Sequence, residues 1–182
     1  MKYIFDFDDV LFQTTRHRLE HMFIVLENAG IPKSEVEEYY KNGKNGEVNR
    51  FSLKNLLTHF SLSENTYEEI MGNMEDFMND ALIKQIQKLG KKNCYLVTAG
   101  HKEFQLDKVT RSGIATFFAE IIVASGTKKE AVEKICADFK DEEVIFIDDK
   151  KHFFKDLDFK KHPNLKTILY TGQDLSKILN VV

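Results

Sequence analysis

Residues 2–12 read KYIFDFDDVLF, and this stretch decides how the rest of the chain is interpreted. The run Tyr3-Ile4-Phe5 is apolar, rich in strand-forming residues and too short for a buried helix, so it predicts a buried strand. Asp6 and Asp8 follow it at once. Residues two apart on an extended chain face the same side, so both carboxylates can point into one pocket. Charged groups beside a core are costly unless they are paired or bind a metal, which makes this strand end a candidate site.

The composition limits the class of protein. The chain has 182 residues, of which 42% are hydrophobic and 30% charged, with a formal net charge of −3. These values are typical of a soluble globular protein with one core and a modest insertion. No broad basic field indicates nucleic acid and no apolar run reaches the length of a membrane span, so neither partner is expected. Cys94 and Cys136 lie in apolar patterns, which favours buried thiols and a cytoplasmic location over a disulfide.

The pattern after the first strand is helical up to residue 81. Apolar residues recur at helical spacing from Leu19, and Gly30 and Pro32 end this first predicted helix. A second helix is predicted over 33–41, and the two Asn-Gly pairs of KNGKNGEVNR at 41–50 predict a loop. Further apolar stripes follow at helical spacing. Residues 14–81 therefore predict an all-helical insertion.

From residue 82 onward, helices and strands alternate. Strands are predicted at 94–98, 118–124, 143–148 and 165–170, and helices between them at 82–90, 103–113 and 128–139. This alternation predicts an α/β fold with a doubly wound, Rossmann-like parallel sheet and helices on both faces. The first strand belongs to this sheet. We therefore expect a core formed by 1–13 and 82–182, with 14–81 as a helical cap.

Reactive side chains stand at the predicted carboxyl ends of the strands, which is where open parallel sheets bind ligands. The second strand ends in Thr98-Ala99-Gly100, a hydroxyl followed by a tight turn whose amides could meet an anion. Lys128 stands at a helix start, where a cation opposes the helix dipole unless an anionic ligand is present. Another strand ends in Asp148-Asp149. Each group has an ordinary alternative as a turn former, cap or solvated charge, but their joint occurrence in this order favours a site.

Phosphoryl transfer is the chemistry that suits these groups. Clustered carboxylates repel one another unless a cation lies among them, and hard oxygen ligands favour Mg²⁺. Mg²⁺ and a lysine can neutralise the charge of a phosphoryl group, and a hydroxyl can orient it. One carboxylate can attack phosphorus, and a second one can transfer protons. The sequence thus predicts a small phosphorylated substrate.

The quoted motifs resemble those of the haloacid dehalogenase-like hydrolase superfamily. The likeness covers residues 1–13 and about 90–170 and includes FDFDDVLF, LVTAG, a lysine at a helix start and VIFIDD. It implies a phosphatase in which Asp6 is the nucleophile that becomes an aspartyl-phosphate. It also implies that Asp8 is the general acid and base and lends its carbonyl to Mg²⁺. Thr98 and Lys128 would bind the phosphate, and Asp148 would bind Mg²⁺ with support from Asp149.

Two positions depart from the family pattern. Asp9 stands where the family often has glycine, and the lysine motif leaves Lys128 and Lys129 as alternatives, of which Lys128 is preferred. Arg16, which opens the insertion, is the first candidate for contact with the leaving group. The rival functions are a receiver-like phosphoacceptor module, a catalytically silent phosphate-binding protein and a phosphomutase of the same fold. Receivers place their acidic pair after the first strand and their acceptor on a later one, an order that this chain does not follow.

Overall fold

The computed structural model describes residues 1–45 and 51–179 and is organised around one parallel sheet. Its strands are β1 (Lys2–Phe5), β2 (Cys94–Ala99), β3 (Glu120–Ala124), β4 (Val144–Asp148) and β5 (Leu165–Leu169). They lie in the order β3-β2-β1-β4-β5, and every neighbouring pair is parallel. The predicted α/β fold with a parallel Rossmann-like sheet is therefore confirmed. Because β1 is central, its carboxyl end lies between the ends of β2 and β4.

Helices cover both faces of the sheet. They are α1 (Leu19–Asn28), α2 (Lys33–Asn45), α3 (Leu53–His59), α4 (Glu64–Met71), α5 (Asp80–Leu89), α6 (Lys102–Arg111), α7 (Lys129–Asp138) and α8 (His152–Lys155). A five-residue π-helical turn at Thr14–Arg18 leads into α1. Within residues 1–45 and 51–179, no helix is long and apolar enough to cross a bilayer.

The insertion between β1 and α5 contains helices only, as the sequence predicts, but one of its boundaries differs. Residues 41–45 continue α2 instead of forming a loop. A glycine inside a helix costs only about 1 kcal/mol relative to alanine, so Gly43 alone is too weak a signal to end it. The remainder of the predicted loop, 46–50, lies outside the described residues.

The two faces of the sheet pack against different layers. Ile4 belongs to a cluster with apolar residues of α7, including Ile135 and Cys136. Its neighbours on β1, Tyr3 and Phe5, point the other way, because side chains alternate along a strand. They join a larger cluster that also contains buried side chains of the helical insertion: Met22, Leu26, Val36, Leu56, Ile70 and Met74. The insertion therefore shares the main core instead of having a separate one.

The chain enters and leaves the insertion at adjacent points. The amide of Gln13 donates to the carbonyl of Phe77 at 2.8 Å, and the amide of Asn79 donates to that of Leu11 at 2.8 Å. Between these bonds, Phe12 and Met78 form an isolated antiparallel bridge. The two points at which the chain crosses between core and insertion are thus hydrogen-bonded to each other, and the division into cap and core stays a prediction.

Candidate active site

Three buried polar side chains meet at the carboxyl edge of the sheet. Asp6 directly follows β1, and its amide extends the ladder by donating to the carbonyl of Ile147 at 2.9 Å. Thr98 lies near the end of β2 and Asp148 at the end of β4, so each neighbours Asp6. All three are buried. Adjacent strands of one sheet bring these residues together, although they are far apart in the chain.

A small cavity opens above these side chains. It has a volume of about 90 Å³ and is lined by Asp6, Asp8, Thr98, Ala99, Lys128, Lys150, His152 and Phe153. We call it the phosphate cavity, because its size and polar lining suit one small anion. The prediction from strand geometry that Asp6 and Asp8 face one pocket agrees with this lining.

Lys128 holds the acids of the phosphate cavity together. Its Nζ lies 2.6 Å from Oδ1 of Asp6 and 2.6 Å from Oδ2 of Asp148. The Lys128 residue is 1% exposed, whereas the Lys129 side chain is 43% exposed and approaches Glu133 on its own helix at 3.8 Å. Of the two alternatives left by the sequence, Lys128 is therefore the one that reaches the acids.

The electrostatics of Asp6 are those of a crowded buried acid. Burial raises the pKa of Asp6 to about 7, with the attraction of Lys128 opposing it and the repulsion of Asp148 reinforcing it. One ammonium thus serves two buried carboxylates. A further cation among them would favour the ionised form of Asp6, because an opposite charge within a few ångströms stabilises a carboxylate.

The carboxylates fit a hard divalent cation. Asp6, Asp148 and Asp149 each offer an oxygen, and these oxygens lie within 4.8 Å of one another. Oδ1 of Asp148 accepts a hydrogen bond from the Lys150 amide at 2.8 Å, which fixes its orientation as second-sphere contacts do in metal sites. Oxygen donors of this kind are the ligands that Mg²⁺ prefers. Within the described residues this group does not include the Asp8 side chain.

The Asp8 carboxylate is held by a different set of groups. It accepts hydrogen bonds from the hydroxyl of Thr14 and, at 2.8 Å, from Nε2 of Gln105, and it forms an ion pair with Lys108. Burial tends to raise the pKa of Asp8, but Lys108 and the hydrogen bonds outweigh burial and lower it below its usual range. In this arrangement Asp8 is therefore ionised.

Lys108 is a functional candidate that the sequence reasoning missed. It lies on α6, and its Nζ stands over the rings of Phe7, Phe12 and Phe104 at 5.3, 5.6 and 5.1 Å. A lysine in a helix is normally solvated, so it was not singled out. The signal was available, because Lys108 lies four residues after Phe104 and thus on the apolar face of its helix.

Two turns near the site have unusual backbone geometry. Asp9 has a φ of 60°, which agrees with the glycine that the resembling family often has at this position. Asp tolerates this region of φ better than most residues. Its carboxylate accepts bonds from the amide and hydroxyl of Thr15 at 2.8 and 2.6 Å. Gly100 has a φ of 148°, and a Cβ there would lie 2.9 Å from Nε2 of Gln105.

The predicted role of Gly100 needs correction. Its amide donates to the carbonyl of Ala124 at 3.2 Å and is therefore not open to an anion. The glycine instead allows Gln105 to approach the turn closely. Thr98 and Ala99 do line the phosphate cavity.

Arg16 also lies elsewhere than the sequence suggests. It is exposed and is not among the residues that line the two cavities beside Asp8. Arg18 is the buried arginine of this turn, and it lines the larger of the two cavities. Residues two apart on a helical turn do not share a face, so burial of Arg18 directs Arg16 to solvent.

Comparison with known proteins identifies the fold. No family model and no curated protein matches the sequence. Among solved structures, a candidate haloacid dehalogenase-like hydrolase from Burkholderia xenovorans LB400 superposes with a TM-score of 0.70 at 13% identity, covering 97% of this chain and 86% of its own. A hydrolase from Streptococcus pneumoniae TIGR4 gives 0.57 at 18% identity, with 99% and 98% covered.

Two further solved structures share the fold. A candidate β-phosphoglucomutase from Thermotoga maritima gives a TM-score of 0.57 at 16% identity, covering 99% of this chain and 91% of its own. The HAD-hydrolase YfnB from Bacillus subtilis, described as bound to magnesium and as revealing interdomain movement, gives 0.56 at 18% identity, with 99% and 98% covered. At these identities the likeness establishes a shared fold, that of the haloacid dehalogenase-like hydrolases.

Proposed function

We propose that this chain, which has the haloacid dehalogenase-like fold, is a Mg²⁺-dependent phosphomonoester hydrolase acting on a small phosphorylated metabolite. The observation that carries the proposal is the grouping of Asp6, Asp148 and Asp149 within reach of one ion, with the buried ammonium of Lys128 against Asp6 and Asp148. A set of acids that can hold a metal, a fixed cation and a nearby hydroxyl are the parts that phosphoryl transfer needs.

In the first step, an oxygen of Asp6 attacks phosphorus. The new O–P bond forms as the bond to the leaving oxygen breaks, and Asp8 gives a proton to that oxygen. Lys128 and the Thr98 hydroxyl hold the phosphoryl oxygens. The product of this step is an aspartyl-phosphate on Asp6 and a free alcohol.

In the second step, Asp8 accepts a proton from water, which attacks the aspartyl-phosphate and releases inorganic phosphate. The resting geometry favours this base role, because Lys108 and its companions keep Asp8 ionised. Mg²⁺, held by Asp6, Asp148 and Asp149, would supply positive charge to the transferring phosphoryl group. Asp6 and Asp8 both line the phosphate cavity, and their common position beside it supports this division of roles.

The cell compartment is a further part of the proposal. Cys94 and Cys136 are both free and buried. Burial raises the pKa of both thiols, which keeps them in the unreactive form. These observations support the expected cytoplasmic location, where thiols remain reduced.

The test is release of inorganic phosphate from a chromogenic aryl phosphate, with Mg²⁺ and with EDTA. We expect turnover only with the metal. Asp148→Asn should abolish the response to Mg²⁺, whereas the matched control Asp141→Asn, an exposed acid seven residues earlier, should retain it. Equal rates with and without the chelator would exclude the metal from the mechanism. Transfer of phosphate to an added sugar phosphate, without release, would indicate a phosphomutase.

A further inference from the structure

A second cavity opens on the far side of Asp8. It has a volume of about 230 Å³ and shares Asp8, Ala99 and Lys150 with the phosphate cavity. Asp8 thus stands at the junction between the two spaces. A leaving group attached to phosphorus in the smaller cavity would extend into the larger one, which we call the leaving-group cavity.

Two buried cations form part of the wall of the leaving-group cavity. Arg18 is 1% exposed and Lys108 is 2% exposed, and both lie over the ring of Phe104, at 4.9 and 5.1 Å. Burial lowers the pKa of Lys108, the paired carboxylate of Asp8 opposes this shift, and the nearby charge of Arg18 adds to it. An anion bound in the cavity beside these two side chains would be attracted by both of their charges.

Gln105 also lines the leaving-group cavity, and its side-chain oxygen is a hydrogen-bond acceptor held in a fixed orientation. Its Nε2 donates to Oδ2 of Asp8 at 2.8 Å and to the carbonyl of Ala99 at 3.1 Å, which fixes the orientation of the amide. Its Oε1 is buried and has no hydrogen-bond partner among the described residues. A buried carbonyl oxygen without a donor is costly, so this atom indicates where a ligand hydroxyl would bind.

We propose that the leaving group of the substrate carries a second anionic group, a carboxylate or a phosphate, which Arg18 and Lys108 bind, and a hydroxyl that donates to Gln105. This inference rests on the proposed hydrolase function and names its substrate class: phosphorylated hydroxy acids or small bisphosphorylated metabolites. The size of the cavity agrees, because it is smaller than the roughly 300–1,000 Å³ of pockets that take drug-sized ligands.

The test uses non-hydrolysable probes in the presence of Mg²⁺, so that binding is measured without turnover. Calorimetric titration compares 3-phosphonopropionate with its neutral amide, 3-phosphonopropionamide, which has the same shape. We expect the carboxylate to bind about 10- to 100-fold more tightly, as for hydrogen bonds between charged groups. Ethane-1,2-diphosphonate in a third titration identifies the preferred anion. Equal binding of acid and amide, together with no gain for the diphosphonate, would overturn the proposal.

The hydroxyl is tested by one added atom. The probe 2-hydroxy-3-phosphonopropionate should bind about 2- to 10-fold more tightly than 3-phosphonopropionate, the range of a single neutral hydrogen bond. Gln105→Leu should remove this gain. A hydroxyl that adds nothing in the parent protein would refute the role of Gln105.

Arginine variants locate the anion within the cavity. Arg18→Gln should bring the preference for acid over amide close to one, and Arg18→Lys should retain most of it. Arg16→Gln is the matched control, because Arg16 is an exposed arginine on the same turn, and it should leave the preference unchanged. If Arg18→Gln does not fold, the comparison of Arg18→Lys with the parent still decides, since loss of the preference with the charge retained would exclude simple charge recognition.

The outcomes separate this inference from the proposed function. Hydrolysis of an aryl phosphate without a preference for the acid probe would refute only the second anion. A preference for the acid probe without hydrolysis would refute the hydrolase and leave the anion site. Failure of every phosphonate to bind, together with no hydrolysis of an aryl phosphate, would refute both.

Discussion

At the end of β1, Asp6 is paired with Lys128 and Asp8 is paired with Lys108, and these two centres differ in every other respect. Asp6 shares its lysine with Asp148 and lies beside the carboxylates that could hold a metal, and burial raises its pKa. Asp8 has Lys108 together with two hydrogen-bond donors, and its pKa is lowered. At the Lys128 centre one cation faces two buried carboxylates. At the Lys108 centre one carboxylate has a cation and two further hydrogen-bond donors.

The difference shows what each centre requires from its ligands. In the proposed first step the nucleophile Asp6 must be ionised and the general acid Asp8 must be protonated. The raised pKa of Asp6 and the lowered pKa of Asp8 each oppose that requirement. Mg²⁺ beside Asp6 would favour its ionised form. An anion in the leaving-group cavity would compete with Asp8 for Lys108 and make protonation of Asp8 easier. The metal and the substrate would therefore complete the site from opposite sides.

Removal of each carboxylate should have the largest effect and should separate the centres. Asp6→Asn should reduce turnover to the background rate, because no aspartyl-phosphate can form. Asp8→Asn should reduce it by about 10²–10⁴-fold, the range of general acid–base catalysis, and by less for substrates with good leaving groups. The measurement is kcat for a series of aryl phosphates. Near-normal turnover by Asp6→Asn would refute its role as nucleophile.

Removal of each lysine should have the next largest effect, and it concerns stability. Lys128→Met leaves two buried carboxylates without their cation, and breaking a buried pair costs about 3–5 kcal/mol. Lys108→Met should cost less, because Asp8 is 17% exposed and keeps two donors. The measurement is urea unfolding at pH 8 in EDTA. Lys129→Met is the control and should stay within about 0.5 kcal/mol.

Addition of Mg²⁺ to the lysine variants sharpens this comparison. The metal should restore part of the stability of Lys128→Met, because it brings positive charge to the same carboxylates. It should do little for Lys108→Met. Equal rescue of both variants would mean that the two centres are not electrostatically distinct.

The most gradual expected effect is a pH dependence of stability in the metal-free protein, because it is spread over several pH units. The pKa of Asp6 is raised on folding, so the folded state binds more protons than the unfolded state between about pH 4 and pH 7. Stability attributable to Asp6 is therefore greatest below this window and falls as pH rises through it, by at most about 1.4 kcal/mol per unit. Thermal unfolding of Asp6→Asn and the parent from pH 4 to pH 8 measures it.

The direction of this trend is the check. Relative to the parent, Asp6→Asn should gain stability up to about pH 7 and then level off. Asp8→Asn should differ from the parent by a nearly constant amount over this range, because the pKa of Asp8 is lowered and its stabilisation is lost only as pH falls into the acid range. Parallel curves for the two variants would contradict the opposite shifts.

The Lys128 centre could be predicted from sequence, whereas the Lys108 centre left only a weak signal there. Asp6, Thr98 and Asp148 each end a recognisable strand, and the parallel arrangement of strands brings such ends together. Lys108 and Gln105 come from the middle of a helix, where their inward direction depends on how α6 packs against the insertion. Packing of this kind is a tertiary property, and helical periodicity indicates it only weakly.

The insertion shows the same limit. Its helical character followed from apolar spacing, but the choice between Arg16 and Arg18 depended on the phase of the π-helical turn at Thr14–Arg18. An extra residue in one turn of a helix changes the direction in which the side chains of the preceding residues point. The sequence gives no dependable signal for such a π-helical turn. The reach of α2 beyond residue 41 was missed because Asn-Gly pairs favour turns without excluding helix.

The paired crossings at Phe12 and Met78 have a consequence for the evolution of the chain. Opposed residues of an antiparallel pair lie about 5 Å apart, so a tight hairpin could join the two points and delete every helix between them. Topologically, the insertion is thus a removable module. Energetically it is not, because its deletion would uncover the apolar cluster that it shares with β1. Modules exchanged at this junction must therefore bring a matching apolar surface, and natural variation should retain that surface while it alters the rest.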